Sequence, residues 1–161
     1  MIYIYEGCDG SGKSTKAQED AKRMNCEYIH NPVDWTSKTA YEEWLKFFED
    51  HKNDTICVDR SFLGNPIYRT WAGKPIEYTD EQLTNLLKQK FILVYCETGS
   101  EYEDATKRGE DNLKSISDYD KIKELYHHWI DKVSKYNDVY IYNWKTKEYS
   151  YYKSEKMKSL L

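Results

Sequence analysis

Residues 2–5, Ile-Tyr-Ile-Tyr, form an apolar run that is followed almost at once by a glycine-rich string. The string matches G-x-x-x-x-G-K-S and consists of Gly7, Cys8, Asp9, Gly10, Ser11, Gly12, Lys13, Ser14 and Thr15. Its glycines allow the backbone to form a concave nest whose N–H groups point at the oxygens of a di- or triphosphate. A polar helix that begins near Lys13 adds its N-terminal amides and the positive end of its dipole. The start of the chain is therefore predicted to be a strand, a phosphate-binding loop and a helix.

Two side chains at the end of this string have defined roles in such a loop. Lys13 can reach the β- and γ-phosphates, and Ser14 offers its hydroxyl to Mg²⁺. The same pattern also occurs by chance as a glycine-rich turn, but the strand before it and the helix after it favour phosphate binding. We therefore expect a nucleoside triphosphate and Mg²⁺ as ligands.

Short apolar runs alternate with longer amphipathic segments along the rest of the chain. The predicted strands are residues 2–5, 27–29, 55–58, 91–96 and 139–142. The predicted helices are residues 15–24, 38–51, 100–107 and 118–136, with further helix between 59 and 88. This order predicts βαβ units and a three-layer α/β/α fold with a five-stranded parallel sheet. Ligands of such sheets bind beyond the carboxyl ends of the strands.

Length and charge limit the classes of partner. With 161 residues the chain fits one domain, residues 1–161, and is large enough to bury a core. The net charge of −4 provides no general attraction to nucleic acid or to an anionic membrane. The four cysteines are far apart in sequence, and no apolar stretch is long enough to span a membrane. We therefore expect a cytoplasmic protein with reduced thiols, and neither a membrane nor a nucleic acid as its partner.

Polar residues follow the second and third predicted strands. Asp59 can hold the Mg²⁺ shell or accept a proton, and Arg60 can bind a phosphate through two parallel hydrogen bonds. The alternative is a surface ion pair that caps the next helix. After the second strand come Asn31 and Trp35; the tryptophan is either a packing residue or a surface on which an acceptor base stacks.

A further pair of cations, Lys107 and Arg108, lies after the fourth predicted strand. A cation that a closing lid brings to the transferring phosphoryl group stabilises the negative charge of the transition state. Most charge runs of this kind are simply solvated. Phosphoryl transfer requires such a residue, however, and this favours a catalytic role for Arg108.

Taken together, these residues resemble the nucleoside and nucleotide kinases of the P-loop class. The phosphate loop is similar to that of thymidylate kinases, as are Asp59-Arg60-Ser61 with Tyr68-Arg69, and Lys107-Arg108-Gly109-Glu110 is similar to their lid. The resemblance implies the P-loop kinase fold with a short lid at about residues 99–117. It also implies that Arg60 holds the acceptor phosphate, that Tyr68 and Arg69 lie near the base, and that Arg108 is the catalytic residue of the lid.

A second branch of the class, the deoxynucleoside kinases, is matched by other features. Asn31-Pro32-Val33 with Trp35 is similar to their E-P-V and tryptophan, and Asp59-Arg60-Ser61 is similar to their E-R-S. In that family the glutamate of E-P-V removes the proton from a 5′-hydroxyl, and Asn31 cannot do so. A monophosphate acceptor already presents an oxyanion and needs no base, so Asn31 favours a nucleotide, although Asp59 or Asp34 could act as a base instead.

The sequence thus predicts a kinase that uses ATP and Mg²⁺ to phosphorylate a small-molecule nucleotide, with thymidylate as the expected acceptor. The alternatives are a deoxynucleoside kinase, a kinase that acts on nucleic-acid ends or modified DNA bases, and a nucleotide-binding switch or ATPase. The interpretation also allows for a homodimer.

Overall fold

The computed structural model describes residues 1–109 and 115–153, which form six strands and six helices. In chain order these are β1 (Ile2–Glu6), α1 (Lys13–Met24), β2 (Glu27–His30), α2 (Ala40–Asp50), β3 (Ile56–Asp59), α3 (Gly64–Trp71), α4 (Asp80–Leu87), β4 (Ile92–Cys96), α5 (Glu101–Lys107), α6 (Ile116–Val133), β5 (Val139–Asn143) and β6 (Glu148–Tyr152). The predicted order of strands and helices is confirmed, and the region between 59 and 88 holds two helices.

The strands form one sheet in the order β2-β3-β1-β4-β5-β6. The first five are parallel, so the predicted α/β architecture is confirmed. The predicted number of strands is wrong, because β6 adds a sixth that runs antiparallel to β5. This strand lies in the segment that the sequence left unassigned, and its tyrosines pair across the hairpin with those of β5. The ring centroids of Tyr142 and Tyr149 are 4.6 Å apart, and those of Tyr140 and Tyr151 are 5.4 Å apart.

Helices pack on both faces of the sheet. On one face the buried residues of α1, such as Ala17 and Ala21, pack against Tyr5 and Cys57 of the central strands. On the other face α2, α3, α4 and α6 enclose a larger core that is rich in aromatic side chains. This arrangement places the loop between β1 and α1 at the carboxyl edge of the central strand β1.

Two further findings concern the cysteines and the helices. All four cysteines are free thiols; the sulfur atoms of Cys26 and Cys57 lie 3.8 Å apart without forming a disulfide bond. In the parts of the chain that the structure describes, no helix is long and apolar enough to cross a membrane.

Candidate active site

The phosphate loop joins β1 to α1 and depends on glycine at two positions. Gly10 and Gly12 have φ angles of 84° and 80°, in the left-handed region that other residues rarely adopt. A Cβ on Gly10 would lie 2.6 Å from the carbonyl oxygen of Glu101, and one on Gly12 would lie 2.6 Å from Cδ1 of Trp144. The N-cap residue of α1 is Gly12, which has no side chain to cap the first amides of the helix. These amides can therefore bind an anion.

Two polar side chains of the loop are buried beside these amides. The side chain of Lys13 is buried at the first position of α1, where an ammonium group neutralises phosphate charge. The hydroxyl of Ser11 is buried and has no hydrogen-bond partner among the described residues. Buried polar atoms are nearly always satisfied, so an unpaired one here indicates a ligand or a water molecule at the loop.

Asp59 ends β3 and is completely buried. Its Oδ2 accepts hydrogen bonds from the hydroxyl of Tyr28, at 2.8 Å, and pairs with Nδ1 of His30 at 3.1 Å. Burial alone would raise the pKa of Asp59, but the Ser14 hydroxyl, the Lys13 charge and the two β2 side chains outweigh burial and lower the pKa. Asp59 is therefore ionised at neutral pH.

The other carboxylate oxygen of Asp59, Oδ1, is buried without a partner within the described ranges. An ionised carboxylate with an unused oxygen beside a serine hydroxyl provides the hard oxygen ligands that Mg²⁺ prefers. Asp59 and Ser14 therefore fit the metal that the sequence predicted. The sequence analysis did not identify His30 and Tyr28 as site residues. They are two positions apart on β2, so both side chains point to the same face of the sheet, where they contact Asp59.

Glu6 is a second buried carboxylate that the sequence did not identify as a site residue. It ends β1, is 1% exposed, and accepts hydrogen bonds from Ser61 Oγ at 2.6 Å and from the hydroxyl of Tyr126 at 3.1 Å. Burial raises its pKa, and the two hydrogen bonds and the charges of Arg60 and Lys13 oppose this only in part. The sequence feature that could have identified Glu6 is its position directly between an apolar run and the phosphate loop.

A cavity of 490 Å³ adjoins the phosphate loop. It brings together the five residues that the sequence predicted to bind the substrate, namely Asn31, Trp35, Arg60, Tyr68 and Arg69. Further aromatic rings line it, those of Trp44, Phe62, Trp71 and Tyr78, and Asp9 and Glu6 belong to its wall near the loop. An aromatic cavity with a few polar groups, next to a phosphate site, suits a nucleobase and its sugar.

Two residues of this cavity have informative local geometry. Arg60 adopts a φ of 78°, which is strained for a residue with a side chain, and such strain is concentrated at functional sites. Trp35 is 59% exposed, so it lies at the rim of the cavity and is not a core residue.

Arg108 is placed differently from the other predicted residues. It is the C-cap of α5 and does not belong to the wall of the cavity. The predicted lid at 99–117 is described only in part, because residues 110–114 lie outside the described ranges, and with them Glu110 of the lid string.

Trp144 also contacts the phosphate loop, and the sequence gave no role to it. It follows β5, and its indole N–H donates a hydrogen bond of 3.4 Å to the carbonyl oxygen of Gly10. The next residue, Lys145, forms an ion pair of 3.1 Å with Asp104 of α5. The turn between β5 and β6 therefore connects the phosphate loop with the start of the predicted lid.

Comparison with known proteins supports this description of the fold. No family model matches the chain. Two probable thymidylate kinases from Methanococcus maripaludis are 24% and 25% identical to it, over 80% of this chain and 76% of each relative.

Among solved structures, the YorR protein of Bacillus subtilis in complex with phosphorylated GDP matches with a TM-score of 0.65 and 24% identity, over 89% of this chain and 85% of that one. Deoxyadenosine kinase from M. mycoides, with dCMP and dCDP, has a TM-score of 0.58 and 17% identity, over 88% of this chain and 89% of that one. Thymidylate kinase from Ehrlichia chaffeensis has a TM-score of 0.55 and 14% identity, over 86% and 91%. The chain thus has the fold of these nucleotide and nucleoside kinases, and its sequence is similar to those of the two probable thymidylate kinases.

Proposed function

We propose that the chain transfers the γ-phosphoryl group of ATP to a deoxynucleoside monophosphate, with thymidylate as the preferred acceptor. The observation that carries this proposal is the cavity beside the phosphate loop, which is lined both by Arg60 with its guanidinium group and by aromatic rings. A cation for a phosphate and rings for a base are what a nucleotide acceptor needs. The similarity to proteins named as probable thymidylate kinases supports the choice of acceptor.

On the donor side, the loop amides and the buried Lys13 neutralise the phosphates of ATP. Ser14 and Asp59 would hold Mg²⁺, which supplies further positive charge to the phosphates when it is bound. Arg60 orients the acceptor phosphate for in-line attack. In this proposal the chain is a single domain with a lid at about residues 99–117. Arg108 of the lid stabilises the negative charge of the transferring phosphoryl group.

The acceptor is expected to arrive already phosphorylated because of Asn31. This residue lines the cavity at the end of β2, and its amide cannot accept a proton from a hydroxyl. The oxyanion of a monophosphate needs charge neutralisation and positioning, which Arg60 provides without a base.

A deoxynucleoside kinase is the second candidate, and one observation favours it. Glu6 lines the same cavity, and burial raises the pKa of its carboxylate. A carboxylate of this kind could accept the proton of a 5′-hydroxyl, which Asn31 cannot do. The similarity in fold to the deoxyadenosine kinase structure also supports this alternative.

Incubation of the protein with γ-labelled ATP, Mg²⁺ and a panel of nucleosides and monophosphates separates these functions. Transfer to dTMP is expected, and transfer to nucleosides alone would refute the first proposal. Hydrolysis without any acceptor would point to an ATPase or switch. Lys13→Ala should lower transfer by about 10²-fold or more, while Lys22→Ala, on the exposed side of the same helix, should keep the wild-type rate.

A further inference from the structure

Two polar side chains stand one helical turn apart on α3 and line the acceptor cavity. They are Asn65, which is 5% exposed, and Arg69. Residues four apart on a helix share a face, so both can meet the same part of a bound molecule. Glu6 and Asp9, at the start of the phosphate loop, line the same cavity.

Glu77 is not one of the residues that line the cavity, but it holds the side chain of Asn65 in one orientation. Its backbone N–H donates to Oδ1 of Asn65 at 3.1 Å, and Nδ2 of Asn65 donates to its Oε1 at 2.9 Å. A backbone N–H can only donate and a carboxylate only accepts, so these two bonds fix which end of the amide is oxygen. Each bond uses one site, and the amide retains one N–H and one lone pair for a ligand.

The same carboxylate also holds Arg69. Oε1 of Glu77 lies 3.6 Å from Nη1 of Arg69, whose Nε donates to the carbonyl oxygen of Pro75 at 2.8 Å. The Glu77 side chain is 53% exposed, so this ion pair alone contributes little. The hydrogen bond to the buried Asn65 is therefore the stronger of its two contacts.

Arg69 favours one chemical class of base, and Asn65 can bind the ring nitrogen beside the group that Arg69 meets. A guanidinium group only donates hydrogen bonds, so it matches a carbonyl oxygen and opposes an amino group. The Asn65 amide can accept from a ring N–H, but its remaining N–H can also donate to an unprotonated ring nitrogen, so the preference between bases comes from Arg69. Thymine, uracil and guanine present a carbonyl beside a ring N–H, whereas cytosine and adenine present an amino group beside an unprotonated nitrogen.

We propose that Glu77 is a positioning residue for acceptor selection: by fixing Asn65 and Arg69 it makes the cavity prefer carbonyl-bearing bases over amino-bearing ones. This inference rests on the proposed function, because it assumes that the cavity receives the base of the acceptor. Glu77 itself touches neither the donor site nor the reacting atoms.

Steady-state kinetics with dTMP and dCMP test this role. Glu77→Ala should raise the KM for dTMP about 10-fold and lower the preference for dTMP over dCMP to a similar degree. The kcat and the KM for ATP should stay within about 2-fold of wild type, a split that general destabilisation would not produce. Glu77→Gln should restore part of the KM, since its carbonyl can still accept from Asn65. Glu81→Gln, an exposed carboxylate on α4, is the matched control and should behave as wild type.

A double-mutant cycle tests whether Glu77 acts through Asn65. In an Asn65→Ala background, with folding checked by circular dichroism, Glu77→Ala should change the KM for dTMP by less than about 2-fold. An active wild type with an unchanged KM and preference in Glu77→Ala would overturn the inference alone. If the wild type uses thymidine in place of dTMP, the monophosphate assignment fails, and Glu77 is tested in the same way with thymidine and deoxycytidine. A wild type that uses no acceptor refutes both.

Discussion

Gly10→Ala and Gly12→Ala should destabilise the protein to different degrees, although both lie in the phosphate loop. Each substitution places a Cβ on a residue in the left-handed region, which costs about 1–2 kcal/mol. The two positions differ in what the new Cβ meets. The difference tests how the loop is packed, independently of any ligand.

At Gly10 the obstacle is backbone. The Cβ would lie 2.6 Å from the carbonyl oxygen of Glu101 and 3.2 Å from its Cα, so the start of α5 or the loop itself must move. At Gly12 the obstacle is the ring of Trp144, which is 37% exposed and can turn toward solvent. That movement breaks the hydrogen bond from Trp144 to Gly10, at about 0.5–1.5 kcal/mol. We expect a total loss of about 1.5–3.5 kcal/mol for Gly12→Ala, and at least about 1 kcal/mol more for Gly10→Ala.

Urea denaturation without nucleotide measures these free energies of unfolding. Gly73→Ala is the matched control, because its φ of 72° carries the same backbone cost while nothing lies within 4 Å of the added Cβ. In a Trp144→Ala background the cost of Gly12→Ala should fall to that of Gly73→Ala, and the cost of Gly10→Ala should remain. The packing argument would be refuted if the three glycine substitutions lowered the free energy of unfolding equally. It would also be refuted if Trp144→Ala reduced the cost of Gly10→Ala as much as that of Gly12→Ala.

Three other predictions concern single side chains. Because burial raises the pKa of Glu6, the contribution of this residue to stability is present below the usual carboxyl pKa and is lost as the pH rises through the raised pKa. The stability of Glu6→Gln relative to wild type should therefore increase as the pH rises above the usual carboxyl pKa, and urea titrations at a series of pH values measure this. Asp59→Asn should raise the Mg²⁺ concentration for half-maximal transfer by about 10-fold or more, measured by metal titration; an unchanged requirement would remove Asp59 from the metal site. Thr79→Ala removes the side-chain cap that Thr79 provides to Gln82 N at the start of α4 and should cost about 1 kcal/mol by thermal melting.

The parts of the fold that the sequence predicted are those with a local signal. The strand, loop and helix at the start follow from an apolar run and glycine spacing, and the parallel sheet follows from the alternation of strands and helices. β6 gave a weaker signal because it is an edge strand with four exposed residues, in which tyrosine stabilises the sheet by cross-strand pairing and not by burial.

The parts of the site that escaped prediction depend on contacts between distant segments. Asp59 was found from its place after a strand, but His30 and Tyr28 meet it only because β2 lies beside β3. Glu77 meets Asn65 across the connection between α3 and α4, which has no periodic pattern. Motif spacing identifies residues that act on a common ligand, whereas supporting residues are defined by tertiary packing.

The end of β3 places two groups of opposite charge on consecutive residues. Asp59 continues the strand and lies on the α1 face, among Tyr28 and His30 and beside the phosphate loop. Arg60 then adopts the left-handed conformation while its N–H donates to the carbonyl oxygen of Tyr5 on β1. This bond holds the chain against the central strand as its direction changes, and the Arg60 side chain enters the acceptor cavity. The left-handed conformation of Arg60 thus lets two consecutive residues direct a carboxylate toward the proposed metal site and a guanidinium toward the proposed acceptor site.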